Sequence, residues 1–112
     1  MVIDPVELTR ALVGFDTINP PGHQAACARY LAEVLNGHGF SITLQEYGDG
    51  RVNIVATAGK RPQPPLCFTG HLDTVPVSDA DAWVSGPFEP RVSADGKPFS
   101  KRACSVPTGV SM

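Results

Sequence analysis

No stretch of this 112-residue chain approaches the roughly 20 consecutive apolar residues that a membrane helix requires. The opening Met1-Val2-Ile3-Asp4 lacks a basic segment followed by an apolar one, so no secretory signal is read there. Charge of one sign is also lacking. The net charge is −2, with Lys and Arg scattered among acidic residues, which leaves no basic face for nucleic acid or membrane. Cysteine is sparse and odd in number: Cys27, Cys67 and Cys104 stand far apart, in no metal-type spacing. Such a set excludes a disulfide framework and points to reduced thiols in a cytoplasmic protein.

What the chain does have is punctuation. Its 11 Pro and 11 Gly cluster in short stretches that divide it into elements. Asp4-Pro5-Val6-Glu7 reads as a helix start, with Asp4 able to cap, Pro5 fitting the first helical position and Glu7 three residues after the cap. Leu8, Leu12 and Phe15 follow at helical spacing, and Asn19-Pro20-Pro21-Gly22 ends the pattern in a rigid loop. A second helix is predicted over about Gln24 to Asn36, burying Cys27, Tyr30, Leu31, Val34 and Leu35 as one stripe. Gly37 and Gly39 stop it, and His38 would meet the negative end of its dipole.

From Phe40 the period changes to two. Phe40, Ile42 and Leu44 alternate with polar residues, Gly48-Asp49-Gly50 turns the chain, and Val52, Ile54 and Ala56 alternate again. The compact apolar run Leu66-Cys67-Phe68-Thr69 predicts a third, central strand buried on both faces, with Cys67 an inert buried thiol. Beyond Thr74 the chain reads as loop, with a short strand near Arg91-Val92-Ser93 and a turn at Asp95-Gly96. The order helix, helix, strand, strand, strand defines an α/β layer structure without internal repeat or domain boundary.

The chemistry concentrates in Phe68-Thr69-Gly70-His71-Leu72-Asp73-Thr74-Val75-Pro76. His71 and Asp73 fall just after the predicted buried strand, where an open α/β sheet presents its ligand site. Residues two apart on extended backbone share a side, so both can enter one polar pocket while Leu72 turns to the core. A neutral imidazole offers one nitrogen to a metal, and a carboxylate two residues on can accept from the other. The bland alternative is a surface pair or a satisfied histidine, because His-x-Asp is common by chance. His23 and His38 occupy helix-terminal positions and are weak ligand candidates. The Asp79 and Asp81 cluster reads as a solvated loop, and Trp83 and Phe88 as loop packing. A Gly-x-Ser-x-Gly elbow and a phosphate-binding glycine loop are both missing.

The run Thr69 to Pro76 closely resembles the first metal-ligand motif of the zinc-dependent metallohydrolases that include acetylornithine deacetylase, succinyl-diaminopimelate desuccinylase, aminoacylase and carboxypeptidase G2. The resemblance extends to Asn19-Pro20-Pro21-Gly22 and the following helix, to Trp83 with Pro87-Phe88, and to Asp95-Gly96-Lys97, in the right order. It implies that His71 is a zinc ligand and Asp73 the carboxylate that orients it. It further implies two zinc or cobalt ions per site, a small N-acyl amino acid or peptide substrate, hydrolysis of its amide bond, and a homodimeric parent. The implied fold is a partial αβα layered catalytic domain with a mainly parallel sheet. Residues 1–112 then form the amino-terminal part of that domain, without the lid and dimerisation domain.

Residues 98–112 depart from the family pattern. Counting across without a gap places Ser105 where a metal-bridging aspartate belongs, and Pro107 replaces a lysine. A serine hydroxyl is neutral and bridges two cations poorly. The expectation is a fragment of a metal-dependent deacylase, inactive as this isolated chain. The competing expectation is a non-catalytic α/β binding or pairing module.

Overall fold

The computed structural model describes residues 2–60, 64–77, 86, 88–96 and the backbone of 98 and 99. Trp83, Asp79, Asp81, Pro87, Lys97, Ser105 and Pro107 lie outside the described residues. The first helix, α1, spans Pro5–Val13, and its cap is the expected one: the Asp4 carboxylate accepts from the Val6 N–H at 2.9 Å. Glu7 does not reach back to close a capping box but pairs with Arg10 at 3.1 Å, one turn along. No residue of α1 is buried; Leu8 and Leu12 are half-buried, and the Phe15 ring beyond its end meets Tyr30 at 5.6 Å between centroids.

The second helix, α2, spans Ala25–Asn36. His38 sits where the dipole reading placed it, with Nδ1 2.7 Å from the Val34 carbonyl oxygen at the helix's negative end. The helix packs on a hairpin made by β1 (Ser41–Gly48) and β2 (Arg51–Thr57), which pair antiparallel with Ile42 opposite Ala56 and Leu44 opposite Ile54. Gly48-Asp49-Gly50 turns the hairpin, with Gly50 at φ +70. Among the described residues, the fully buried apolar ones are Cys27, Ala28 and Ala32 of α2 and Val52 of β2.

That list corrects the expected stripe. Of Cys27, Tyr30, Leu31, Val34 and Leu35, only Cys27 is fully buried, and the other four are half-buried. Two strands are narrower than the apolar face of the helix, so its small residues meet the sheet at the centre and its larger ones flank it. Along β1 the same narrowness leaves Leu44 exposed.

The third strand is the larger correction. Of the expected run, only Thr69 takes part in a β-bridge; residues 66–68 belong to no strand, Leu66 and Phe68 are 72% and 66% exposed, and Cys67 is exposed, not an inert buried thiol. A run apolar on both sides needs a layer on each side of it, and the described residues cover neither face. The described sheets are antiparallel, β1 with β2 and the two-residue β3 (Arg91–Val92) with β4 (Pro98–Phe99). Parallel pairing is limited among the described residues to one isolated bridge, between Ile18 and Thr74. β3 and the turn after it are where the sequence put them, with Gly96 at φ +82 donating its N–H to the Ser93 carbonyl at 2.9 Å. Two helices and a hairpin thus form a partial α/β layer, and among the described residues no helix is long and apolar enough to cross a membrane.

Candidate functional site

Three segments converge on one cleft: the loop after α1, the turn end of β2 and the loop at 70–74. The isolated bridge joins the first to the third. Thr74 donates its N–H to the Thr17 carbonyl at 3.0 Å, and Asn19 donates to the Thr74 carbonyl at 2.8 Å. Thr17 is buried at the junction. A cleft of about 500 Å³, open to solvent, lies between these segments, and Asn19, Gln24, Tyr47, Arg51, His71 and Asp73 contribute to its wall.

His71 and Asp73 meet as the sequence suggested. His71 Nδ1 lies 2.8 Å from Asp73 Oδ1 and 3.0 Å from the Asp73 backbone oxygen. Both partners only accept, so Nδ1 must carry a hydrogen, and in the neutral ring Nε2 then holds the lone pair. The carboxylate is charged and nearer, so it takes the larger share of that three-centre bond. The pair follows an exposed extended segment, not a buried strand, so its placement comes from the clamp to residues 17–19. Leu72 between them is half-buried.

The second carboxylate oxygen is also occupied. Asn19 donates from Nδ2 to Asp73 Oδ2 at 2.9 Å, and Arg51 Nη2 donates to Asn19 Oδ1 at 3.4 Å and to the Pro21 carbonyl at 3.2 Å. The Asn19 amide is the main reason that the Asp73 carboxyl is held below the usual carboxylate range. Partial burial pushes the other way, and the His71 ring adds to the lowering. Deeper in the wall, Gln24 is buried and donates from Nε2 to the Tyr47 hydroxyl at 3.3 Å; its Oε1 has no hydrogen-bond partner among the described residues.

His23 and His38 stand apart from this cleft's wall. His23 lies against Gly50, where a Cβ would come within 2.9 Å of its ring, and His38 caps α2. Among the described residues no group of three or more His, Cys, Asp or Glu could hold a metal ion. Among the described residues, the candidate donors at this cleft are a single imidazole and the carboxylate it meets. Arg51, Gln24 and Tyr47 had no signal in the sequence, because their relevance depends on which loops lie beside the hairpin. Asn19 had one, in the Asn-Pro-Pro-Gly run.

No protein-family model matches the sequence. Individual relatives do. The chain is 38% identical over 111 residues to a succinyl-diaminopimelate desuccinylase of Wolbachia pipientis wMel, covering 99% of the chain and 27% of that protein. It is 36% identical over 98 residues to one from Ehrlichia ruminantium (strain Gardel), covering 85% of the chain and 25% of the relative. A Caulobacter vibrioides (strain NA1000 / CB15N) desuccinylase is 34% identical over 109 residues, covering 97% of the chain and 27% of the relative. The likeness thus runs the length of this chain while spanning about a quarter of those proteins. The chain is thus similar to a fragment of the succinyl-diaminopimelate desuccinylases, matching that quarter of their length.

Proposed function

We propose that the chain is a segment of a metal-dependent amide hydrolase acting on N-acyl amino acids, N-succinyl substrates foremost, with His71 a metal ligand through Nε2 and Asp73 its orienting carboxylate. The observation that carries this reading is the His71–Asp73 pair, 2.8 Å apart at the mouth of a polar cleft. Its acceptor-only partners fix the tautomer that a metal ligand needs. That the relatives are succinyl-diaminopimelate desuccinylases supports the substrate class. A bound zinc or cobalt ion supplies Lewis acidity toward a carbonyl and a more acidic bound water. In this chain, Asp73 holds a proton at His71 Nδ1 and Asn19 holds Asp73. A catalytic zinc takes about three protein ligands plus water, so the isolated chain is expected to be inactive. A soluble, cytoplasmic and homodimeric parent belongs to the same reading.

The test is a chimera in which residues 1–97 replace the matching segment of the Wolbachia desuccinylase. Turnover of succinyl-diaminopimelate should require added zinc or cobalt, and His71→Ala should lower it by about 100-fold or more. A His71→Ala chimera of unchanged activity removes His71 from the site. The competing reading, a non-catalytic pairing module, draws on the exposure of Leu66 and Phe68. It requires the 112-residue chain to self-associate or capture a partner, and a monodisperse monomer in sedimentation speaks against self-pairing.

A further inference from the structure

We propose that Asn19 and Arg51 are positioning residues for His71. Arg51 fixes the Asn19 amide, Asn19 fixes the Asp73 carboxylate, and the carboxylate keeps the proton on Nδ1. The purpose of this relay rests on the proposed role of His71 as a metal ligand; its geometry does not.

The orientation of the Asn19 amide follows from chemistry. Its Nδ2 lies 2.9 Å from Asp73 Oδ2 and its Oδ1 lies 3.4 Å from Arg51 Nη2. Turned over, the amide would set a carbonyl oxygen against a carboxylate and an NH₂ against a guanidinium. Both contacts would be repulsive, so only one orientation is tenable. Arg51 is itself held. Nη2 carries two hydrogens, and Asn19 Oδ1 and the Pro21 carbonyl, at 3.4 and 3.2 Å, accept them. Gly22 permits the approach: a Cβ there would lie 3.3 Å from Asn19 Oδ1 and 3.4 Å from Arg51 Nε, and its φ of +80 disfavours any side chain.

The carboxylate is held at both ends, Oδ1 by His71 and Oδ2 by Asn19. Without the Asn19 bond, Oδ2 turns to water and the carboxylate plane rotates about χ2, carrying Oδ1 out of line with Nδ1. The backbone bonds from residues 17 and 19 to residue 74 leave the loops little room to compensate. A merely structural Asn19–Asp73 tie would join the two loops without any influence on where the imidazole keeps its proton. The tautomer therefore separates a positioning role from a structural one.

The experiment uses the 112-residue chain, uniformly ¹⁵N-labelled and free of metal, at about pH 8, above the ordinary imidazole range. Long-range ¹H–¹⁵N correlation reads each histidine's tautomer. His71 should be almost wholly Nδ1–H. Asn19→Ala should move its tautomer ratio by about tenfold toward a mixture. Asn19→Asp should do the same, because two carboxylates then face each other. Arg51→Ala should give a smaller shift, and Arg51→Lys should recover part of it by donating to Asn19 Oδ1. A wild-type His71 of mixed tautomer overturns the proposal. So does an unchanged Nδ1–H tautomer in folded Asn19→Ala or Arg51→Ala, the backbone spectrum reporting the fold. Should Asn19→Ala fail to fold, the Arg51 pair decides by the same reading. The same variants in the chimera of residues 1–97 with the Wolbachia desuccinylase, which restores the rest of the chain, are titrated with zinc to test the other reading separately. If zinc leaves His71 Nε2 unshifted while the variants still move the tautomer, the metal role falls and the relay stands. If zinc shifts Nε2 in wild type but the variants keep the tautomer and the affinity, the relay falls. Were both readings right, zinc affinity drops about 10–100-fold in Asn19→Ala.

Discussion

Asn19 and Asp73 are 54 residues apart in the sequence and 2.9 Å apart between amide nitrogen and carboxylate oxygen. That bond connects the Asn-Pro-Pro-Gly loop to the His-Leu-Asp loop, two runs whose kinship the sequence suggests but whose contact it does not state. It also sets the acid behaviour of the site.

Because the Asn19 amide lowers the Asp73 carboxyl, the folded chain takes up this proton less readily than the unfolded chain. The stability so contributed is fully present above the ordinary carboxylate range, about pH 4, and is lost as pH falls through the lowered folded value. The difference in urea midpoint between wild type and Asp73→Asn should stay constant near neutrality and shrink on acidification below that range. A difference that widens on acidification contradicts this account.

The core is thin enough for single side chains to matter. Val52 is 4% exposed and is the one fully buried apolar residue that the hairpin contributes among the described residues. Val52→Ala should cost about 2 kcal/mol, from lost burial and an incompletely refilled space. Ala28 is wholly buried on the facing helix. Ala28→Leu should cost about 1–3 kcal/mol through overpacking. Denaturant titration measures both, and an Ala28→Leu chain as stable as wild type would show a slacker helix–sheet contact than the burial implies.

Two glycines separate backbone strain from crowding. Gly39 at φ +87 has no atom within 4 Å of a built Cβ, so Gly39→Ala should cost only the conformational term, about 1 kcal/mol. Gly50 at φ +70 would place its Cβ 2.9 Å from the His23 ring. Gly50→Ala should therefore cost more than Gly39→Ala in the same assay. The double variant with His23→Ala should recover the excess, because the obstacle is a side chain. Equal costs in the two single variants would mean that His23 moves aside freely.

Asp4→Ala should loosen α1 by about 1 kcal/mol, since the cap bond to the Val6 N–H is its first-turn anchor. Asp4→Ser should retain most of that stability. Amide exchange at Val6 and Leu8 reports it directly, and unchanged exchange in Asp4→Ala would rule out the cap as the helix's anchor.

Sequence alone was sufficient wherever a feature is local. The cap at Asp4, the breaks at Asn19 to Gly22 and at Gly37, the dipole contact of His38, the hairpin turn at Gly48 to Gly50 and the meeting of His71 with Asp73 each depend on residues a few positions apart. Steric and hydrogen-bonding rules act there directly. The resemblance to metallohydrolases was equally local, carried by short ordered runs, and the likeness to the desuccinylases agrees with it.

Only the tertiary structure decided what depends on distant partners. Burial of the α2 stripe was set by the width of a two-stranded sheet, which leaves Tyr30, Leu31, Val34 and Leu35 half-buried. Leu66 and Phe68 have a buried strand's composition and stand exposed, because composition cannot supply the layers that would cover them. Arg51 joined the site because β2 ends beside the loop that carries Asn19, a fact of topology invisible in any window of sequence. Local chemistry writes the His71–Asp73 pair; the long-range register of three segments determines what holds it.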